Sequence, residues 1–473
     1  MSQPKPHAVA AGHPQTAAAA RQILLQGGQA FDAILAAMMM SFVSEPLLAS
    51  PGGGGFLLAA GPDQPPRLLD FFSDTPTTDS AGIAQDGIDF YPIEGNFGTR
   101  SQEFHIGHAA AAVPGVPAGI HKIHQQLCSL PLEVLAQPAI DAARSGVLVN
   151  HQQAFVAMVL QPIINATAAG KKLYGNMRQG QRWQNPELAE FLVQLCRQDP
   201  NWFYQGEAAA AICAQPDGLL QAIDFKDYEC AVREPLQWSS NGYKVYTNPE
   251  PSSGGRLIVE QLKRLKSRHD LAAVLEAQQH ADDLKRSQLF EVSRGTTHIS
   301  VADGHGNLAS LTLSNGENNG HVVPGCGFMM NNFLGEEDIN PDGFMSWQGK
   351  ERLRSMMSPT LITHAEHRYA LGTGGSNRIK TALFQVINHI INDRKILKHA
   401  IEAPRMHFEN GHLDIEPGFQ VDDLSVLLKT CPINSEWHNH NLYFGGVNAV
   451  QSGQTTAAVA DFRRNGCGLV FSY

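Results

Sequence analysis

The stretch Gly295-Thr296-Thr297-His298-Ile299-Ser300 decides how this chain reads. It sets two hydroxyl residues directly after a glycine, at the head of an alternating run that continues through Val301-Ala302-Asp303 to Gly306-Asn307. That arrangement suits a chain that cuts itself and then uses the new N-terminal Thr as a nucleophile. A Thr hydroxyl is a poor nucleophile near neutral pH and needs an adjacent base, and an α-amine freed on the same residue can be that base. The ordinary pKa of such an amine, about 8, leaves much of it neutral. A glycine ahead of the cut gives the backbone freedom to strain the scissile bond. Taken alone, the same residues also describe the entrance of a β-strand.

Outward from this point the alternation predicts strands over 297–301 and 309–313. Upstream, residues 16–26 are rich in Ala and Leu and end at Gly27-Gly28, as a helix with a glycine C-cap should. Residues 30–44 form a second helical stretch, apolar on nearly every face and therefore destined for a large core. Four glycines at 52–55 lead into a buried strand over 56–60. They lack the lysine of a phosphate-binding loop, so close backbone packing is the better reading. Helices are predicted over 119–127, 132–145, 186–197, 207–213, 256–267 and 378–391, with a loop at Pro249-Glu250-Pro251-Ser252-Ser253-Gly254-Gly255. No internal repeat or low-complexity linker divides the chain.

Composition narrows the function classes. The 473 residues carry a net charge of −10, with 43% hydrophobic and 17% charged side chains. That is an ordinary globular balance, and its sign argues against nucleic acid or an anionic membrane surface as the main partner. Seven cysteines without CxxC spacing read as reduced thiols. The segment Met1-Ser2-Gln3-Pro4-Lys5-Pro6-His7 lacks the apolar stretch of a secretory signal, and the run over 33–49 is too short and too interrupted to span a bilayer. A cytoplasmic protein is expected. The histidine pairs His105/His108, His364/His367 and His438/His440 have chelating spacings, but no adjacent Cys or carboxylate completes a zinc-like set. No metal and no organic cofactor are expected.

Several segments together resemble the gamma-glutamyltranspeptidases. They are Ala11-Gly12-His13-Pro14, Gly27-Gly28-Gln29-Ala30-Phe31-Asp32-Ala33, Gly52-Gly53-Gly54-Gly55-Phe56, Asp224-Phe225-Lys226-Asp227-Tyr228, Met357-Ser358-Pro359-Thr360, Gly372-Thr373-Gly374-Gly375-Ser376-Asn377-Arg378 and Asp461-Phe462-Arg463-Arg464-Asn465-Gly466. The resemblance is collinear over nearly the whole chain. It implies an α+β fold, the four-layer αββα sandwich of the N-terminal nucleophile hydrolases, with two antiparallel sheets between helical layers. It also implies a zymogen cut between Gly295 and Thr296 into a large fragment, 1–295, and a small one, 296–473, intertwined in one domain. Thr296 matches the family's nucleophile. Ser314 falls where relatives carry a Thr that helps activate it, and offers the same donor and acceptor. Gly374 and Gly375, before a helix N-terminus, resemble the oxyanion hole, with Gly375 and Ser376 as the alternative register.

Substrate recognition departs from that pattern. The family holds a glutamyl α-carboxylate with an Arg after an Asp-Phe pair, and here Asp70-Phe71 is followed by Phe72. Of two carboxylate-binding serines, Ser355 is kept and the second position is Met356. On the amino side the corresponding residues are Asn315 (or Gly316), Phe333 and Glu336. A carboxylate without its cation is costly to bury, so Phe72, Met356 and Phe333 are expected to turn preference away from a free glutamate head group. Arg354 or Arg100 are the candidates for a relocated cation. The implied activity is transfer of a gamma-glutamyl or related acyl group from a small amide or peptide, through a threonine acyl-enzyme, to water or an amine. The alternatives are an acylase for a non-glutamyl group and a catalytically idle binding relative.

Overall fold

Thr296–Ala302 is a strand, and it returns as Leu308–Ser314 after the tight turn at 303–307. This is a computed structural model, and it describes all residues except 1–4, 84–85, 97–100, 216, 266–267, 269, 288–294, 337–338, 341–342 and 473. Asp303 makes the turn: its carboxylate accepts from the backbone N–H groups of His305 and Asn307 and from Asn307 Nδ2. It also accepts from Ala30 N at 2.9 Å, which pins the start of the Ala30–Ser44 helix to the hairpin.

The hairpin is the centre of a seven-stranded antiparallel sheet. Its order is Cys467–Phe471, His7–Ala11, Thr296–Ala302, Leu308–Ser314, Gly54–Ala60, Arg67–Phe71 and Ala231–Arg233. A six-stranded antiparallel sheet lies behind it, ordered Ala457–Val459, Asn448–Gly453, His367–Gly372, Thr360–Thr363, Tyr243–Thr247 and Leu236–Ser240. Strands from before and after residue 295 are therefore interleaved in the first sheet and meet in the second.

Both faces of the first sheet are buried, and the period of two sorts them. Val9, Leu57, Leu69, Ile299 and Leu311 pack with the helices Pro14–Leu25 and Ala30–Ser44. Ala10, Phe56, Leu58 and Leu308 belong to a second core with Leu361, Leu371 and the helices Gly254–Leu265 and Arg378–Ile391. Helices thus flank two stacked sheets, the four-layer arrangement expected. Several predicted spans coincide with observed helices, among them Leu132–Ser145, Pro186–Arg197 and Arg378–Ile391. Sequence reading missed Leu271–Ser287 and the short strands Leu236–Ser240 and Tyr243–Thr247. All seven cysteines are free. Among the described residues, no helix is long and apolar enough to cross a membrane.

Candidate active site

Thr296 sits at the open end of the central hairpin, directly opposite Ser314, which in turn faces Gly54 on the next strand. The Ser314 hydroxyl donates to the carbonyl oxygen of Gly295 and accepts from Gly316 N at 3.1 Å. One fixed hydroxyl therefore polarises the carbonyl of the 295–296 peptide bond, where an attacking oxygen would build up negative charge. Gly295 has a different reason to be glycine than the backbone freedom expected from sequence. A Cβ there would lie 1.8 Å from the Gly316 carbonyl oxygen. Close approach excludes a side chain.

Gly374 follows the same rule on the other flank. Its would-be Cβ falls 2.1 Å from the Thr296 carbonyl oxygen and 2.6 Å from Arg464 Nη1, so only glycine lets the 372–375 turn lie against Thr296. Arg464 Nη1 donates to that same Thr296 oxygen at 3.1 Å. Burial lowers the Arg464 guanidinium to about 10, which still leaves it cationic at neutral pH. Its chain neighbours hold it in place: Asp461 accepts from Arg405 Nη2 at 2.6 Å and Val447 N at 3.0 Å, while Arg463 pairs with Glu416. Gly375 has a φ of +126° and Ser376 one of +57°, and of this turn Gly374 faces the pocket.

Glu45 completes the site from below. Its Oε1 accepts from Thr297 Oγ1 at 2.8 Å, and its Oε2 from Thr16 Oγ1 at 3.3 Å. Burial raises the carboxyl to about 7, against the opposing pull of these two hydroxyls and of Arg464. His298 makes no such contact. Its ring bridges Thr312 Oγ1 at 2.8 Å and Ser300 Oγ at 2.9 Å, and burial lowers it to about 3. It is a neutral packing residue, as the strand reading had it.

A pocket of about 950 Å³, its mouth included, opens at Thr296. Gly295, Thr297, Glu45, Glu317, Gly374 and Arg464 share its polar end, and Leu47, Phe155, Val156, Val159, Leu160 and Met177 give it an apolar wall. None of the six residues expected to bind substrate lines it. Phe72, Phe333 and Met356 are all but fully buried in the core between the sheets, at 1%, 0% and 0% exposure. The Phe72 ring stacks on Phe56 and lies 4.7 Å from Phe333. The expectation that these three face a substrate is therefore corrected: they fill the space themselves. Asn315 is also turned inward, accepting from Ser50 Oγ at 2.8 Å and donating to Asn318 Oδ1. The hydroxyl of buried Ser355 accepts from Met357 N, and its carbonyl accepts from Ser252 Oγ. The Glu336 carboxylate lies beside Gly316, where a Cβ would meet its Oε1 at 2.0 Å. Arg354 is exposed, and Arg100 lies outside the described residues.

Two pocket groups, Glu45 and Arg464, had no role assigned from sequence. The signal for Glu45 was a carboxylate set within an apolar run and followed by Pro46; for Arg464 it was the second of two arginines after Asp461.

The gamma-glutamyltranspeptidase family model matches residues 16–290 and 263–471, nearly the whole chain. The chain belongs to the gamma-glutamyltranspeptidase family. Among curated relatives, the Acylase ACY 1 proenzyme of Pseudomonas sp. (strain SE83) is 28% identical over 86% of this chain and 83% of its own. The glutathione hydrolase proenzyme of Pseudomonas aeruginosa is 29% identical over 85% and 83%. A solved cephalosporin acylase from Bacillus halodurans superposes with a TM-score of 0.82 over 98% of this chain and 96% of that one, at 21% identity. That last likeness is one of fold, and the fold it shares is the N-terminal nucleophile sandwich. Both curated relatives are named as proenzymes.

Proposed function

We propose that this family member is a self-processing threonine amidohydrolase acting on amides whose acyl group carries no free α-carboxylate. One observation carries the reading. The pocket at Thr296 is walled by Leu47, Phe155, Val159 and Met177, while Phe72, Phe333 and Met356 occupy the positions that the family resemblance gives to charged-group recognition. The acylase name of one relative supports it.

The chemistry follows from the geometry. In the precursor, Thr296 Oγ attacks the Gly295 carbonyl carbon and Ser314 donates to the developing oxyanion. The C–N bond breaks as the nitrogen gains a proton, which leaves an ester between Gly295 and Thr296 Oγ. Water hydrolyses that ester to a Gly295 carboxylate and a Thr296 with both its hydroxyl and its α-amine free. In turnover that amine takes the hydroxyl proton while Oγ attacks the substrate carbonyl. The turn at Gly374, which lies against Thr296, is the proposed source of the backbone N–H groups that receive the oxyanion. The leaving amine departs with the proton, and water or a second amine accepts the acyl group.

A γ-glutamyl donor is the second reading. It is favoured by the glutathione hydrolase relative. The two readings separate on one assay, kcat/KM of the processed protein for an aliphatic or aromatic acyl anilide and for γ-glutamyl anilide. The acyl anilide is expected to be at least about tenfold better, the smaller end of what a matched apolar pocket discriminates. A preference for the γ-glutamyl donor overturns the first reading.

A further inference from the structure

Away from the Thr296 pocket, a second cavity of about 390 Å³ is lined by His108 and His321, on segments distant in sequence. With Asp89 they form a cluster in which the atoms able to ligate a cation all lie within 4.8 Å of one another. His108 Nδ1 lies 3.1 Å from Asp89 Oδ2, and His321 Nε2 lies 2.9 Å from the same oxygen. The two imidazole centroids are 3.6 Å apart. Each side chain is 22–23% exposed, so the group is reachable from solvent yet held in shape.

The backbone does the holding. Ala109 N donates to Asp89 O at 3.0 Å, Gly107 N to Asn319 O at 2.9 Å, and Asp89 N to Asp217 O at 2.9 Å. His321 N donates to Asn319 Oδ1 at 3.0 Å. Three chain segments are thus tied together before any ion arrives. Asp89 Oδ2 also accepts from His108 N at 2.8 Å, so two imidazole nitrogens and a backbone N–H crowd one carboxylate oxygen. Two imidazoles and a carboxylate are a ligand set for zinc and its neighbours. Zinc–ligand distances of about 2.0–2.2 Å set tetrahedral ligand atoms about 3.3 Å apart, close to the nitrogen–oxygen separations found here. The cavity leaves room for a fourth ligand.

We propose that Asp89, His108 and His321 form a binding site for a divalent transition ion of the zinc class. Asp89 and His108 precede the cleavage point and His321 follows it, so the ion fastens the two fragments to each other once the peptide bond is cut. None of the three lines the Thr296 pocket. The site is therefore structural, and its readout is binding and stability rather than turnover.

The test uses processed protein stripped with a chelator and titrated with Zn²⁺, followed by calorimetry and by melting temperature. Wild type should take up one ion per pair of fragments and melt at higher temperature with Zn²⁺ present. His321→Ala should lose at least about tenfold in affinity, as ligand-shell losses do, together with the Zn²⁺-dependent rise in Tm. Asp89→Asn, nearly isosteric, should do the same and serves if His321→Ala does not fold. His438→Gln, exposed and remote from the cluster in sequence, should keep both properties. No uptake by wild type at millimolar Zn²⁺, or binding that survives in both cluster variants, overturns the proposal.

Discussion

The end of the hairpin at Thr296 and the apolar block at Phe72, just past the strand Arg67–Phe71, are built on opposite rules. Around Thr296 the backbone dictates. Gly295 lies against the Gly316 carbonyl and Gly374 against the Thr296 carbonyl, at separations no side chain permits, while Ser314 and Arg464 hold backbone oxygens. Around Phe72 side chains dictate. Phe56, Phe72 and Phe333 pack ring on ring in a dry interior, where volume matters more than chemical identity. The first region has almost no freedom to change and keep its chemistry. The second can trade recognition groups for core and keep its fold.

The largest expected effect breaks the first region. Thr296→Ala should abolish cleavage into pieces of 295 and 178 of the 473 residues and lower turnover at least about 10⁴-fold. A denaturing gel, N-terminal sequencing of the small piece (expected to begin Thr-Thr-His-Ile-Ser) and an activity assay check this. Thr297→Ala should be milder, losing only the hydrogen bond to Glu45.

Next comes the second region. Phe72→Arg drives a cation into the apolar block, and should cost about 3–5 kcal/mol in chemical denaturation without creating a γ-glutamyl enzyme. A stable variant that gains γ-glutamyl turnover would show that the block opens to substrate.

Glu45 probes the first region through pH. Burial raises its carboxyl to about 7 from an ordinary 4.5, so the unfolded chain gives up this proton first. Its contribution to stability is fullest below pH 4.5 and is lost as pH rises through 7. Glu45→Gln keeps an acceptor for Thr297 and removes the titration. The stability of wild type relative to this variant should fall by about 3 kcal/mol across that window, read from denaturant midpoints at each pH. A flat difference means that Glu45 is not protonated in the folded protein.

The smallest effect sharpens the contrast inside the pocket. Phe155→Ala should lower kcat/KM for an apolar acyl anilide about tenfold and leave γ-glutamyl anilide nearly unchanged. Equal losses on both would mean that Phe155 supports the fold rather than the acyl group.

Much of this was legible in the chain. Helices such as Leu132–Ser145 and Arg378–Ile391 announced themselves through periodicity, although the 17-residue Leu271–Ser287 did not, and the hairpin did so through alternation on either side of the 303–307 turn. Thr296, Ser314 and the 374–375 glycines were placed through the family resemblance, and the structure sets Ser314 opposite Thr296 and Gly374 against its carbonyl. What escaped was non-local. Whether Phe72 faces a ligand or a neighbouring ring depends on Phe56 and Phe333, brought to it by sheet order rather than by sequence distance. Glu45 and Arg464 reach the site from either end of the chain, and Asp89, His108 and His321 meet across three segments. The strands Leu236–Ser240 and Tyr243–Thr247 are short, and their alternation was too brief to stand out.

The order of synthesis gives the Thr296 contacts a further meaning. Ser314, Gly374 and Arg464 are all made after the 295–296 bond. This set of contacts is not complete until the ribosome has passed Arg464. A cut at this bond is therefore expected to act as a timestamp: it records that the strands bearing these contacts were delivered and docked, and a chain stopped before Arg464 should stay whole and idle.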